Sequence, residues 1–122
     1  SAHPARLRRT GAAEWMVVLA LSTLCVPSDS ARAQEEDARS FIRFVEEFEA
    51  TCVARNAVQI LVTSSHASRT LRVWLDRYHM GVGTGDRSKT DLKPGAAAEA
   101  LGCSRTLDGP QEWRVVRAQF VD

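Results

Sequence analysis

A segment of alternating residue types constrains the fold of this chain most strongly. Residues 71–76 alternate at every step between an apolar side chain and an aromatic or charged one, and Tyr78 continues the second set two residues further on. The apolar set is Leu71, Val73 and Leu75, and the other set is Arg72, Trp74, Asp76 and Tyr78. Successive side chains of a β-strand point to opposite faces. The segment therefore predicts a strand with one face in a core and the other bearing aromatic and charged groups.

The first 33 residues have the features of a secretory signal peptide. Three arginines precede an apolar run over residues 15–25, and polar residues then lead to Ala31-Arg32-Ala33. This order is typical of a leader with an A-x-A cleavage site. An uncleaved membrane anchor is the alternative, but a spanning helix needs about 20 apolar residues and this run is about half as long. The sequence predicts a leader over residues 1–33 and a domain over residues 34–122. We expect that domain in the periplasm or outside the cell, without stable membrane insertion.

The charge balance argues against a nucleic-acid partner. The chain holds 16 basic and 15 acidic residues, a formal net charge of +1. Residues 1–33 contain four of the basic and two of the acidic residues, which leaves 12 against 13, or −1, in the predicted domain. Long-range attraction of DNA or an anionic membrane requires excess positive charge, so we expect neither.

Cys52 and Cys103 are the two cysteines of the predicted domain. An even count in an exported chain predicts a structural disulfide. Metal or redox thiols are the alternative, but neither cysteine belongs to a C-x-x-C pair and no histidine lies at ligand spacing. A bridge would close a loop of about fifty residues and stabilise a small domain by about 3–4 kcal/mol.

The remaining segments predict a mostly β fold of the α+β class. Four apolar residues at helical spacing predict one amphipathic helix over residues 36–50; they are Phe41, Phe44, Val45 and Phe48. Residues 58–63 and 112–121 are predicted strands, and the first is expected to pair with residues 71–78. Residues 89–92 fit a short strand after a glycine loop, while residues 96–103 fit a helix or, preferably, a strand. Short strands and Gly/Pro turns indicate a small antiparallel β-sandwich or a partly open barrel, capped by the helix.

No pattern of catalytic or metal-binding residues is complete. Residues 83–90 approach a phosphate-binding loop, but Ser88 replaces its second glycine and Pro94 prevents a long helix after it. His66 and His79 lack enough neighbouring ligands for a metal site. A small hydrolase would need Asp76 and His79 to converge, and on a strand these two point to opposite faces. The sequence therefore predicts no enzyme, no metal and no cofactor.

The aromatic and charged face of residues 71–78 is the candidate binding surface; it carries Arg72, Trp74, Asp76 and Tyr78. Aromatic platforms flanked by charges suit a protein partner or a polysaccharide. The competing expectation is that the predicted helix or a second sheet covers this face, because the phenylalanines need a surface to pack on. We predict an exported, non-catalytic accessory or binding protein that recognises a protein partner through a sheet edge or the aromatic face. The alternative is a carbohydrate-binding module that uses Trp74 and Tyr78.

Overall fold

The computed structural model describes residues 27–122, and Gln34–Asp122 form one compact unit. Its elements are helix α1 (Pro27–Ser40), strand β1 (Ile42–Glu47), helix α2 (Ala50–Val53) and strands β2 (Gln59–Ser64), β3 (Leu71–His79), β4 (Val82–Leu92), β5 (Glu99–Cys103) and β6 (Gln111–Phe120). The strands form two antiparallel three-stranded sheets, ordered β1-β2-β5 and β4-β3-β6. The predicted mostly β class with antiparallel sheets is confirmed.

Most of the predicted leader lies outside the described residues, and its cleavage after Ala33 stays a prediction. In the described part of the chain, no helix combines the length and the apolar composition that a membrane span requires.

The alternation of residues 71–78 is confirmed in β3, the central strand of the second sheet. Leu71, Val73 and Leu75 are all 0% exposed, while the residues between them are half-buried. The same core also contains Ala38 of α1, Ile42 and Val62 of the first sheet, and Leu92 and Ala118 of the second sheet. Because residues of both sheets belong to this cluster, the two sheets share one apolar core. Burial of each Leu or Val side chain in it stabilises the fold by about 1.5–3 kcal/mol.

A two-residue turn joins β3 to β4. His79 pairs with Val82, and the intervening Met80 and Gly81 have φ angles of 52° and 82°. Positive φ at both central residues is the requirement of a type I′ hairpin turn. The glycine-rich residues that follow belong to β4, so this strand is longer than the short one predicted at residues 89–92. The predicted glycine loop is wrong, because Gly81 lies in the two-residue turn and Gly83 and Gly85 lie within strand β4.

The predicted Cys52–Cys103 disulfide is confirmed. It joins α2 to the end of β5 over a Cα–Cα distance of 5.3 Å and a sequence separation of 51. The carboxylate of Glu49 caps α2 by accepting hydrogen bonds from the backbone N–H groups of Thr51 and Cys52, both at 3.1 Å. These bonds hold the pKa of Glu49 below its usual value. The strand preferred for residues 96–103 is confirmed over β5.

The amphipathic helix predicted over residues 36–50 is wrong. Helix α1 ends at Ser40, and residues 42–47 form β1. Phe44 and Val45 therefore lie in a strand and Phe48 follows it, with exposed fractions of 44%, 37% and 89%. Phe41 alone packs inward, with its ring centroid 4.5 Å from that of His66. The helical spacing of these apolar residues does not correspond to a buried helical face.

The predicted pairing of residues 58–63 with residues 71–78 is also wrong. Strand β2 lies between β1 and β5, and β3 lies between β4 and β6. Each strand already has both edges hydrogen-bonded to other neighbours, so neither has an edge free for the other. Residues 65–70 instead connect the two sheets.

Candidate functional site

The four predicted site residues lie together on the face of the second sheet that points away from the core, called here the outer face. Residues opposite each other on antiparallel strands share a face. The register places Asp91 and Gln119 opposite Arg72, Lys89 and Arg117 opposite Trp74, Arg87 and Arg114 opposite Asp76, and Glu112 opposite Tyr78. The outer face is therefore a surface of two aromatic rings surrounded by charged side chains.

Guanidinium groups lie over both aromatic rings. The Arg114 Cζ atom is 3.9 Å from the ring centroid of Tyr78, and the Arg117 Cζ atom is 5.0 Å from that of Trp74. Both distances fall within the range of a cation–π interaction. The expected cover by the helix over residues 36–50 is wrong, because that helix does not form. The two rings are half-buried instead beneath arginines of their own sheet.

Two bidentate ion pairs fix the positions of charged groups on the outer face. The Arg72 guanidinium donates to both carboxylate oxygens of Asp91, at 2.7 and 3.0 Å. The Arg87 guanidinium donates to both oxygens of Asp76, at 2.6 and 2.9 Å. Hydrogen bonds from Arg87 and Arg72 lower the pKa of Asp76 and of Asp91, respectively. Each carboxylate is thus favoured in its ionised form by its arginine partner.

Positive charge exceeds negative charge on the outer face. Its basic residues are Arg72, Arg87, Lys89, Arg114 and Arg117, and its acidic residues are Asp76, Asp91 and Glu112. Three of the basic residues form ion pairs with the three acids. Among the described residues, Lys89 and Arg117 have no ion-pair partner. Both lie opposite Trp74, on either side of it, so that ring lies between two cations that form no ion pair with the described carboxylates.

Acid is expected to destabilise the domain through the two bidentate pairs. Because the pKa values of Asp76 and Asp91 lie below the ordinary 3.8 in the folded chain, the unfolded chain binds more protons in acid. The stability that the pairs contribute is complete above 3.8 and is lost as the pH falls through the lowered pKa values. We expect the melting temperature, followed by circular dichroism, to fall as the pH drops from about 5 toward 2.

The double variant Asp76→Asn/Asp91→Asn is expected to melt at a lower temperature near neutral pH and to show a flatter acid profile. The matched variant Asp108→Asn changes an exposed turn residue outside the described ion pairs. It should keep the parent profile. An acid profile of the double variant as steep as that of the parent would contradict this assignment.

A polar cleft of approximately 420 Å³ lies on the other face of the second sheet, where β5 approaches; it is lined by Arg77, Asp86, Ser88, Ala100, Leu101, Gln111 and Trp113. Arg77 donates to Asp86 and to Gln111, both at 3.1 Å. Gln111 in turn donates to the carbonyl of Cys103 at 2.7 Å. The polar side chains of Arg77, Asp86 and Gln111 thus form hydrogen bonds within the protein, and the network links β3, β4, β5 and β6. This network was not predictable from the sequence, because its members come from separate strands.

His79 and Asp76 have separate partners. The Nε2 atom of His79 lies 2.8 Å from the hydroxyl of Thr106, whereas the Asp76 carboxylate binds Arg87. The convergent pair that a hydrolase would need is therefore not formed. The Nδ1 atom of His66 accepts hydrogen bonds from two backbone N–H groups of the following turn, at 3.1 and 2.9 Å. That contact gives His66 a structural role.

Within residues 27–122, one group of potential metal ligands lies close enough together to hold an ion. The ligand atoms of Glu49, Cys52 and Cys103 lie within 4.8 Å of one another. Both sulfur atoms are joined in the disulfide, and the carboxylate caps α2. A thiolate is the form of cysteine that binds a metal, so this group is a structural cluster.

No protein-family model, curated protein or solved structure matches this chain. Its function is therefore inferred from the geometry and chemistry of the outer face, which brings aromatic rings and charged side chains together.

Proposed function

We propose that this chain is a non-catalytic binding protein that recognises an acidic segment of a partner protein through the outer face. The position of Trp74 between Lys89 and Arg117 carries the proposal. Carboxylates that approach this face gain charge-assisted hydrogen bonds from both cations, and the indole supplies apolar contact area. Tryptophan and arginine are also the residue types that contribute most strongly to binding at protein interfaces.

The proposed location is the periplasm or the extracellular space, with residues 1–33 as the cleaved leader. The Cys52–Cys103 disulfide supports an oxidising compartment, because reducing cytosol keeps most thiols unpaired. In the same proposal the two sheets form a small β-sandwich, which leaves the outer face directed to solvent and open to a partner.

The alternative hypothesis is a carbohydrate-binding module that stacks sugars on Trp74 and Tyr78. Arg117 and Arg114 lie over these two rings. A neutral sugar would have to compete with a guanidinium group for each stacking position, and it would gain no ion pair from the unmatched cations. The contacts therefore favour an anionic protein segment over a neutral sugar.

Nuclear magnetic resonance titration tests the proposal with a defined probe. The probe is a synthetic peptide of alternating glutamate and leucine, and its control carries glutamine in place of glutamate. We expect the glutamate peptide to shift the indole N–H of Trp74 and the backbone N–H groups of Lys89 and Arg117. Added salt should weaken binding, because it screens exposed charges.

The double variant Lys89→Glu/Arg117→Glu is expected to weaken peptide binding by at least about tenfold, since it places acids beside Trp74. The control variant Lys93→Glu reverses a single charge at an exposed residue just beyond β4 and should bind as the parent does. Equal binding of the two peptides, or an equal loss with Lys93→Glu, would contradict the proposal. Shifts of Trp74 and Tyr78 with a neutral chitin or cellulose oligomer alone would instead support the carbohydrate hypothesis.

A further inference from the structure

The free edge of β1 is a second exposed feature, separate from the outer face. Among the described residues, β1 is one of the two edge strands of the first sheet, and its residues from Arg43 to Glu47 are all exposed. They include the apolar side chains of Phe44 and Val45, and the highly exposed Phe48 follows them. An exposed edge with apolar side chains is a template for pairing with another strand.

The backbone groups that β1 directs to its free edge follow from its pairing with β2. The Ser65 N–H donates to the carbonyl of Phe41 at 2.9 Å, so these two residues form a hydrogen-bonded pair in the observed register. Hydrogen-bonded and non-hydrogen-bonded pairs alternate along an antiparallel ladder. The N–H and C=O groups of Ile42, Phe44 and Glu46 therefore point away from β2.

The order of charges along β1 selects one register for pairing with a second copy. When two identical edges pair antiparallel about a two-fold axis perpendicular to the sheet, one residue lies opposite its own copy. With Val45 at the axis, Arg43 lies opposite Glu47 of the second copy, and this pair occurs twice. With Arg43, Glu46 or Glu47 at the axis, like charges lie opposite each other, which is destabilising. With Phe44 at the axis, Arg43 faces Val45 and no opposite charges meet.

We propose that two copies of this chain associate through β1 in the antiparallel register centred on Val45, so that their three-stranded sheets become one six-stranded sheet. In this register the free backbone groups of Phe44 meet those of Glu46 from the second copy. Two Arg43–Glu47 ion pairs flank the apolar contact at the axis. The association uses a different surface from the outer face and does not rest on its function.

In the single chain, Arg43 already binds one of the backbone carbonyls that would pair with a second copy. Arg43 Nη1 donates to the carbonyls of Ser40 at 2.6 Å and of Ile42 at 3.0 Å, and the second of these points to the free edge. On association the guanidinium turns to Glu47 of the second copy, and the Ile42 carbonyl accepts a main-chain N–H in its place. The edge of the single chain is thus protected by a contact that a second copy replaces.

Single cysteines along β1 test the register directly. In the full chain carrying Cys25→Ser, the variants Phe44→Cys, Val45→Cys and Glu46→Cys are oxidised mildly and separated by mass under non-reducing conditions. Residues at position 45 form a non-hydrogen-bonded pair with Cα atoms about 4.5 Å apart, within reach of a disulfide. We expect Val45→Cys to form the covalent dimer at least about tenfold faster than the other two variants.

Charge reversal tests the same register without a cross-link. Arg43→Glu or Glu47→Arg alone places like charges opposite each other, and sedimentation should show the dimer dissociation constant raised by at least about tenfold. The double reversal Arg43→Glu/Glu47→Arg restores opposite charges and should recover the parent value to within a few-fold. Arg55→Glu, an exposed residue outside β1, is the matched control and should leave the constant unchanged.

Proline separates loss of association from loss of folding. Phe44→Pro removes an N–H that faces the free edge, so it should give a folded monomer. Val45→Pro removes an N–H that faces β2 and should lower the melting temperature. A parent chain that stays monomeric at about 1 mM, a faster cross-link at position 44 or 46, or a double reversal that fails to recover would overturn the proposal. Lys89→Glu/Arg117→Glu should associate as the parent does, which distinguishes this surface from the outer face.

Discussion

The variant Cys52→Ala/Cys103→Ala is expected to lose about 3–4 kcal/mol of unfolding free energy relative to the parent chain. The bridge closes a loop of 51 residues that includes β2, β3 and β4. Without it, the unfolded chain gains the conformational freedom of that loop, while α2 and β5 lose their covalent connection. Small domains are commonly stable by only about 5–15 kcal/mol, so the loss is a large share of the total. Urea denaturation followed by circular dichroism measures it.

The parent chain under reducing conditions should approach the stability of the double alanine variant. Val53→Ala is the control, because it truncates an exposed side chain next to Cys52 and leaves the Cys52–Cys103 bridge intact. Its unfolding free energy should stay within about 0.5 kcal/mol of the parent. A loss below about 1 kcal/mol in the double alanine variant would show that the bridge does not constrain the unfolded chain as the loop model requires.

Two features were predictable from the sequence, because one depends on a local pattern of residues and the other on the number of cysteines. The alternation of β3 predicts its buried face, because Leu71, Val73 and Leu75 recur at a period that only a strand places on one side. The bridge between Cys52 and Cys103 follows from an even number of thiols in a small domain. Neither inference requires knowledge of which strands are neighbours.

The prediction of a helix over residues 36–50 was wrong for a physical reason. Helical periodicity is informative when the apolar residues share a buried stripe, but Phe44, Val45 and Phe48 are exposed in the folded chain. The helical spacing of these three residues therefore does not indicate a buried helix face. Phenylalanine and valine also favour strands, and this preference agrees with the edge strand that forms.

The candidate site was predictable only in its central strand. Trp74 and Tyr78 follow from alternation, but their charged neighbours depend on register. Arg114 and Arg117 are three residues apart, so strict alternation would place them on opposite faces of β6. A shift in register between Trp74 and Leu75 brings both arginines to the outer face. Such a bulge has no reliable signature in a single sequence, which is why the arginines over the two rings were missed.

The core substitution Leu75→Ala is expected to lower the unfolding free energy by about 2–5 kcal/mol. Leu75 is 0% exposed and lies in the core that both sheets share. Alanine removes apolar contact area and leaves a cavity that the surrounding strands fill only in part. Leu107→Ala deletes the same atoms from a side chain that is 85% exposed, so its effect should stay within about 0.5 kcal/mol. Equal losses in the two variants would contradict the assignment of Leu75 to the core.

Because the two sheets share one core, a core substitution in the first sheet should also destabilise the second sheet. Val62 belongs to the first sheet and Leu75 to the second, and both are 0% exposed in one cluster. Val62→Ala should therefore destabilise both sheets together, and each variant should unfold in a single transition with coincident fluorescence and circular dichroism signals. If the sheets instead had separate cores, Val62→Ala would produce an early transition that leaves the environment of Trp74 unchanged. Observation of that early transition would refute the shared core.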